Sequence, residues 1–301
     1  MTMYEETFTI PVTPPFRLDF TVWALRRRQK NLIDQWDNGQ YRRVLVVHGE
    51  TVQISVEQSG EVELVVFAKS KSTLSGKQKE LTQQVQKILG VERDLEAFYR
   101  LADKNTHIQS LAYRFRGVKP PRFPNVFEAL INAVACQQVS LDVGIILLNR
   151  LSETFGKEFE GQYAFPQPED FYQTTEEEIQ KLGFSHQKAK TILLLAQQVR
   201  EKSIIVDDLE TLPNSEIMNR LVSIHGIGRW SAEYVLLRGL GRIDTFPGDD
   251  VGAQRNVMNL IHLDHMPRYA EIQKVTKTWE PYAGFVYFHL LLDKLDKKNL
   301  L

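Results

Sequence analysis

An α+β fold is expected, with a small antiparallel sheet domain under helical cover at the N-terminus and a larger all-helical part after it. Three observations carry this. Runs rich in Val, Ile and Phe lie between residues 43 and 68, split by short turns. The strand signal stops near Gly76. Beyond that point apolar residues recur at helical spacing behind capping residues that can be named.

Taken in order, a helix is expected from about Asp19 to Asp34. Strands follow at Arg43–Val47, Thr51–Val56 and Val62–Ala68, with His48-Gly49-Glu50 and Ser59-Gly60 as turns. Gln53, Ser55 and Glu57 alternate with Val52, Ile54 and Val56, the pattern of a sheet with one wet face. In the helical part, Asn125 reads as an N-cap with a reciprocal acid, Glu128, three residues on. Phe127, Leu130, Ile131 and Val134 form the apolar face behind it. Thr175 and Glu178 cap a short helix that stops at Gly183. Ser185 starts the next, with Ala189, Ile192, Leu193, Ala196 and Val199 inward. Further helices are expected over Ser215–Ser223 and Arg229–Leu240, around a turn at His225–Gly228. Pro281 restarts a last apolar helix through about Leu295, and the tail 296–301 is expected to fray.

Composition narrows the function. At 301 residues the chain suits two or three domains. Hydrophobic residues at 43% and charged residues at 25% suffice for an ordinary core. With 17 Gly and 12 Pro, a largely disordered chain is not expected. No apolar run approaches the roughly 18 residues of a membrane span. The start, Met1-Thr2-Met3-Tyr4-Glu5-Glu6, lacks the basic and apolar regions of a signal peptide. An intracellular protein without a membrane partner is the expectation. Cys136 is the lone cysteine, which excludes an internal disulfide, a four-cysteine cluster and a paired-cysteine zinc finger. The formal net charge of −1 argues against a globally basic nucleic-acid binder, although a local patch is enough. One such run, Arg114 to Arg122, holds four cations and no acid. It suits either a DNA backbone track or a solvated linker.

The segment Leu221 to Tyr234 carries the most chemistry. Gly226 and Gly228 join two apolar-faced helices, and glycine there permits a tight turn with close backbone approach. A helix that starts at such a turn offers unpaired N–H groups and a positive dipole end, a binding place for phosphate. A plain helical hairpin is the other reading. Downstream, Gly239 and Gly241 end the second helix. Asp249 and Asp250 then follow Pro247-Gly248, with Asp250 lying 20 residues beyond Trp230.

Together these pieces resemble the helix-hairpin-helix (HhH-GPD) DNA glycosylases, and within them the DNA-3-methyladenine glycosylase II type. The family's Gly-apolar-Gly hairpin, helix, Gly-containing loop and Asp are present in order. Upstream, Gln137-Gln138-Val139-Ser140 matches a family loop, as do Phe165-Pro-Gln-Pro, Leu182-Gly183 and Lys188-Ala189. Trp279-Glu-Pro-Tyr282 and His289 match the C-terminal helix. The resemblance covers about Phe123 to Leu292 well and the sheet region loosely.

The resemblance implies the following roles. Asp250 is the catalytic acid, with Asp249 the competing candidate; Asp249 is otherwise expected to cap the following helix. A carboxylate there stabilises positive charge developing on the deoxyribose and aligns or deprotonates water. Trp230 stands where lyase members carry a Lys, which implies a monofunctional enzyme that leaves an abasic site. Trp230 and Tyr234, one turn apart, wall the base pocket, where an aromatic face suits a cationic alkylated purine; ordinary core aromatics are the alternative. Leu291 stands where the type has a second pocket Trp. Trp23 lies near a pocket-lining position, and Glu233 adds a carboxylate beside the pocket. Gln138 matches the wedge that fills the gap left by a flipped base; helix capping is the alternative. Backbone N–H groups of Gly226, Gly228 and Ser231 bind phosphate. Carbonyls of Val222, Ile224 and Ile227 are a candidate seat for a structural monovalent cation. No organic cofactor or catalytic metal is implied.

The expected division is residues 1–88 for the sheet domain, and 89–122 with 241–301 for a helical subdomain carrying the acid. Residues 123–240 then form the subdomain with the hairpin. The implied function is hydrolysis of the N-glycosidic bond of alkylated purines in duplex DNA by a monomer. The place is the cytoplasm or nucleoid of a bacterium, or the nucleus of a eukaryote. Two rivals stand beside it: a glycosylase for oxidised or deaminated purines, and a non-catalytic hairpin DNA-binding protein.

Overall fold

The computed structural model describes residues 2–202 and 207–301. A five-stranded antiparallel sheet occupies the N-terminal quarter, in the order β1-β5-β4-β3-β2. Its strands are β1 (Tyr4–Pro11), β2 (Gln35–Asp37), β3 (Gln40–Val47), β4 (Glu50–Ser59) and β5 (Glu63–Ser70). Along β4, Val52, Ile54 and Val56 are fully buried while Gln53, Ser55 and Glu57 are half-exposed, the alternation the sequence shows. Two strands were not visible in it. β1 sends only Phe8 and Ile10 to the buried face, and β2 is three residues long.

The helix α1 covers Leu18–Arg26 and stops well short of Asp34. Arg27 turns the chain with φ of 62° and returns its N–H to the Trp23 carbonyl at 2.9 Å, closing the helix end. Next, the Asn31 side chain accepts from the amides of Ile33 (2.9 Å) and Asp34 (3.0 Å), a local turn that competes with further helix.

Helices follow: α2 (Gln78–Leu89), α3 (Glu96–Asp103), α4 (Gln109–Arg114), α5 (Val126–Cys136) and α6 (Leu141–Phe155). A minimal hairpin, β6 (Glu158–Phe159) with β7 (Gln162–Tyr163), interrupts them. Then come α7 (Glu176–Lys181), α8 (His186–Arg200), α9 (Asn214–Val222), α10 (Arg229–Arg238), α11 (Val251–Leu260), α12 (Tyr269–Thr276) and α13 (Ala283–Asp296). The reciprocal cap at Thr175 and Glu178 is formed, and Ser185 caps α8. At α5 the cap is one-sided. Asn125 accepts from the Glu128 amide at 2.8 Å, but the Glu128 carboxylate turns away to meet Arg43 at 2.5 Å.

That contact belongs to a buried charge cluster. Arg43 on β3 also meets Asp34 at 2.7 Å, and the Tyr41 hydroxyl donates to Asp34 at 2.8 Å. Burial pushes the Glu128 carboxyl up, and Arg43 opposes that shift. The cluster pins the sheet to α5.

Two large apolar clusters divide the interior. The first joins the buried sheet face to residues of α2, α5, α6, α8, α9 and α10. The second gathers Trp23 and Ala24 of α1 with residues of α3, α4, α11, α12 and α13. The segment Arg114–Arg122 is mostly packed rather than a solvated linker, with Arg114 and Arg116 exposed. Arg114 pairs with Asp293, and the Arg116 guanidinium lies 4.2 Å from the centre of the Tyr99 ring. Lys119 is fully buried with its ammonium on the Arg93 carbonyl (2.7 Å), and Arg122 pairs with Glu210 at 3.4 Å. Burial lowers the Lys119 pKa to about 8. Among the described residues no helix is long and apolar enough to cross a membrane.

Candidate active site

The hairpin is α9, a turn at residues 223–228, and α10. Gly226 has φ of 89°, and a Cβ there would stand 2.3 Å from the Thr191 hydroxyl oxygen. Gly228 is the N-cap of α10 with an ordinary extended backbone, and a Cβ there would meet nothing within 4 Å. The two glycines therefore differ in purpose: one satisfies a close approach inside, the other leaves open space outside. The first amides of α10 have no intrahelical acceptors. Gln137 donates from Nε2 to the Gly226 carbonyl and to Ser231 Oγ, both at 2.9 Å. The Ser231 side chain is thus buried and occupied, and only its amide is left to face a ligand. Within the turn, the Ile224 carbonyl accepts the Ile227 N–H at 3.0 Å, leaving one lone pair. Val222 ends α9, and Ile227 lies in the turn that follows it.

The loop after α5 lies beside the hairpin. Lys188 Nζ, from α8, donates to the carbonyls of Ala135 (3.0 Å) and Gln137 (2.8 Å) and holds the end of α5. Gln137 is inward and used. Gln138 is exposed with φ of 52°, so it projects from a fixed base.

Asp250 is the N-cap of α11. Its Oδ1 accepts the Ala253 amide at 2.8 Å and its Oδ2 accepts the Tyr287 hydroxyl at 3.1 Å. The expected division of labour in the acid pair is corrected here. Asp250 does the capping, while Asp249 forms an ion pair with Arg229 at 2.7 Å. Arg229 in turn lies over the Tyr269 ring at 3.7 Å. Glu233 is buried and faces the loop before Asp250. It accepts the Gly248 amide at 3.0 Å and the Tyr269 hydroxyl at 2.7 Å. Burial raises its pKa, opposed by these two bonds. Gln254 adds a bond to the Gly248 carbonyl at 2.9 Å. The loop that presents Asp250 is thus tied on several sides.

Trp230 and Tyr234 stack at a tilt of 34° with ring centres 5.5 Å apart. Trp230 is half-exposed and its indole N–H has no partner among the described residues, whereas Tyr234 is buried. Tyr234 accepts from Arg27 Nη1 at 2.7 Å, and Arg27 Nη2 donates to Asn132 Oδ1 at 2.8 Å. Tyr287 and Leu291 lie one turn apart on α13, both half-exposed, and Tyr287 is near enough to Tyr234 for the two to interact electrostatically. Burial raises the Tyr287 pKa well above the ordinary value, and the Asp250 charge adds to this. Trp23 is buried in the second cluster with Arg26 over its ring.

Sequence reasoning missed Tyr287, Arg27 and a basic patch. Tyr287 was legible only as the residue one turn before Leu291. Arg27 sits in Arg26-Arg27-Arg28, a basic run at the end of an apolar helix. The patch comprises Arg28, Arg255, Lys294 and Lys298. Lys294 Nζ stands 4.0 Å from where a Gly252 Cβ would lie, two residues from Asp250. Burial lowers the Lys294 pKa, and the charges of Arg28, Lys298 and Arg255 lower it further. Among the described residues, Arg255, Lys294 and Lys298 form no ion pair.

An antiparallel sheet, a helical hairpin and a capped carboxylate whose charge reaches Tyr234 and Tyr287 are thus the arrangement to be compared with known folds. The solved 3-methyladenine DNA glycosylase of Archaeoglobus fulgidus superposes with a TM-score of 0.85, at 24% identity, over 98% of this chain and all of that one. Residues 131–281 match the HhH-GPD superfamily of base excision DNA repair proteins, and the chain belongs to that family. A DNA-3-methyladenine glycosylase of Bacillus subtilis is 25% identical over 96% of this chain and 98% of its own length. A second B. subtilis protein, the putative DNA-3-methyladenine glycosylase YfjP, is 25% identical over 93% of this chain and 96% of its own.

Proposed function

We propose that this protein is a monofunctional DNA glycosylase. It hydrolyses the N-glycosidic bond of alkylated purines, of the 3-methyladenine and 7-methylguanine type, in duplex DNA. The observation that carries the reading is Asp250, held through both carboxylate oxygens and near enough to Tyr234 and Tyr287 for its charge to act on both. The names of the full-length relatives support the substrate class.

The steps follow from the residues. Amides of Gly226, Gly228 and Ser231 take a backbone phosphate at the start of α10. Arg28, Arg255, Lys294 and Lys298 attract the strand near Asp250. Gln138 enters the gap left by the extruded nucleotide. The base stacks on Trp230 and Tyr234, where aromatic faces favour a cation. As the C1′–N bond breaks, its electron pair goes to the base and the sugar becomes positive. At about 4 Å and an effective dielectric of about 20, a carboxylate stabilises that charge by about 4 kcal/mol. Water then bonds to C1′ and loses its proton to Asp250 or solvent. Trp230 stands where an amine nucleophile would be needed for strand cleavage, so the product is an intact abasic strand. Carbonyls of Val222, Ile224 and Ile227 would hold a monovalent cation, which would add positive charge beneath the bound phosphate. The protein acts as a monomer, in the compartment that holds the cell's DNA.

The test is release of free bases from methylated duplex DNA by the wild type and Asp250→Asn, with DNA affinity measured for each. Expected are 3-methyladenine or 7-methylguanine, an uncut abasic strand, and a loss of about 100-fold or more in a variant that still binds. Binding without release by the wild type would favour the non-catalytic reading. Full activity in Asp250→Asn would remove the acid assignment.

A further inference from the structure

Glu233 is a buried carboxylate that no cation touches. It is 5% exposed, and among the described residues it forms no ion pair. Its two oxygens go to neutral donors on different elements. Oε2 accepts the Gly248 amide from the loop before α11, and Oε1 accepts the Tyr269 hydroxyl from α12. Burial and the hydrogen bond to Glu233 push the Tyr269 phenol up, so it stays a donor. A buried charge without a contacting cation is costly, and an apolar residue would fill the space at lower cost. Fold stability alone does not account for a carboxylate here.

Its partners lead to Asp250. The Pro247 carbonyl accepts the Asp250 amide at 3.1 Å, which closes a turn over residues 247–250. Gly248 is the pivot of that turn and is held on three sides. Its amide goes to Glu233, its carbonyl accepts from Gln254, and a Cβ on it would stand 2.8 Å from the Tyr269 ring. Glu233 itself sits on α10, the helix that begins at the Gly228 cap. Arg229, one turn earlier on α10, reaches the same loop through Asp249, but that pair is largely solvent-exposed and worth little. The buried contact is the firm one. It also spans the two interiors, because α10 gives Val235 and Leu236 to the first apolar cluster and α12 gives Ile272 to the second.

We infer that Glu233 is a positioning residue for the base-release step: by holding the Gly248 amide it sets where the turn presents Asp250 relative to the phosphate bound at the start of α10. The inference rests on the glycosylase reading and deepens it. Glu233 touches neither the base nor the strand. A carboxylate stabilises a forming sugar cation in proportion to its closeness, so the benefit depends on where it is held. The bound phosphate fixes the sugar, and α10 fixes the phosphate. The distance from acid to sugar is then set by whatever fixes the turn to α10. Without Glu233 the turn keeps its own hydrogen bond and Asp250 keeps its cap on Ala253, but the register of both against α10 is lost.

The experiment measures single-turnover release of 7-methylguanine at saturating enzyme, with duplex affinity from fluorescence anisotropy. The proteins are the wild type, Glu233→Leu, Glu233→Gln, Asp250→Asn and the double variant Glu233→Leu with Asp250→Asn. A rate constant at saturating enzyme does not depend on the folded fraction, so a merely destabilised variant keeps the wild-type value. In Glu233→Leu the rate should fall at least about tenfold while affinity stays within about twofold of wild type. Glu233→Gln, which keeps a neutral acceptor for Gly248, should recover part of the rate and remain about threefold slow. Because Glu233 acts through the acid, adding Glu233→Leu to Asp250→Asn should slow the residual release by less than about twofold. A wild-type rate in Glu233→Leu overturns the inference and leaves the glycosylase reading intact. So does a tenfold effect that persists in the Asp250→Asn background. If only Glu233→Gln folds, a wild-type rate in that variant overturns it. A wild type that binds the duplex and releases no base takes both readings down.

Discussion

Adding one methyl group to each hairpin glycine separates fold from ligand binding. In Gly226→Ala the new Cβ sits on a backbone of φ 89° and 2.3 Å from the buried Thr191 hydroxyl oxygen, with the Thr191 methyl at 2.9 Å. The left-handed backbone costs about 1–2 kcal/mol and the crowding about 1–3 kcal/mol, so a total loss of about 2–5 kcal/mol is expected. In Gly228→Ala the backbone is extended and the space is open. Alanine is a poorer N-cap than glycine, but it restricts the unfolded chain, so stability should move by about 1 kcal/mol or less. Its methyl group, however, stands in the path of an approaching phosphate. Losing one amide–phosphate bond is worth about 1.5–3 kcal/mol, or about 10- to 100-fold in affinity. Urea unfolding and fluorescence anisotropy on a short duplex read the two quantities. An amide carries no charge, so the salt dependence of binding should stay near wild type in Gly228→Ala. In Lys294→Ala its logarithmic slope should shrink by about 1. A Gly228→Ala protein with wild-type affinity refutes the phosphate role, whatever Gly226→Ala does.

Three further outcomes are expected. Tyr287→Phe removes the donor to Asp250 Oδ2 and leaves the Ala253 bond, so single-turnover base release should fall about tenfold with DNA affinity held; equal release would show that the hydroxyl does not position the acid. Burial lowers the His289 pKa to about 4 in the fold, against about 6.5 unfolded. Between those values the unfolded chain takes up a proton that the fold refuses, so stability should drop by about 3 kcal/mol as pH falls from 6.5 to 4. Urea midpoints across that window should show less of this slope in His289→Leu. Finally, Arg43→Met leaves Asp34 and Glu128 buried without their shared cation, for a loss of about 3–5 kcal/mol in urea unfolding.

Local patterns were readable in the sequence and long-range assemblies were not. The strands with alternating burial, β3 to β5, announce themselves. β1 and β2 offer too few inward apolar residues to do so. Caps at Thr175 and Ser185 are short-range and came through. Glu128 did not behave as a cap partner, because Arg43, from a distant strand, competes for it. Two adjacent acids cannot be ranked by sequence alone. Arg229, 20 residues upstream of Asp249, draws that acid away and leaves the capping to Asp250. The contiguous run Arg114–Arg122 looked like a nucleic-acid surface and is largely internal. The cations at residues 28, 255, 294 and 298 gather from positions that no sequence window contains. Tyr287 and Arg27 were hidden for the same reason.

The order in which the two interiors are completed has a consequence for the newborn chain. Every member of the first cluster precedes residue 241, whereas the second is not complete until Leu295. Chains emerge from the ribosome N-terminus first and their units fold as they appear. The hairpin that would grip DNA can therefore stand finished while the acid and its wall are still unmade. On the proposed roles, a chain halted near residue 240 would keep the phosphate-binding hairpin and lack the carboxylate of Asp250.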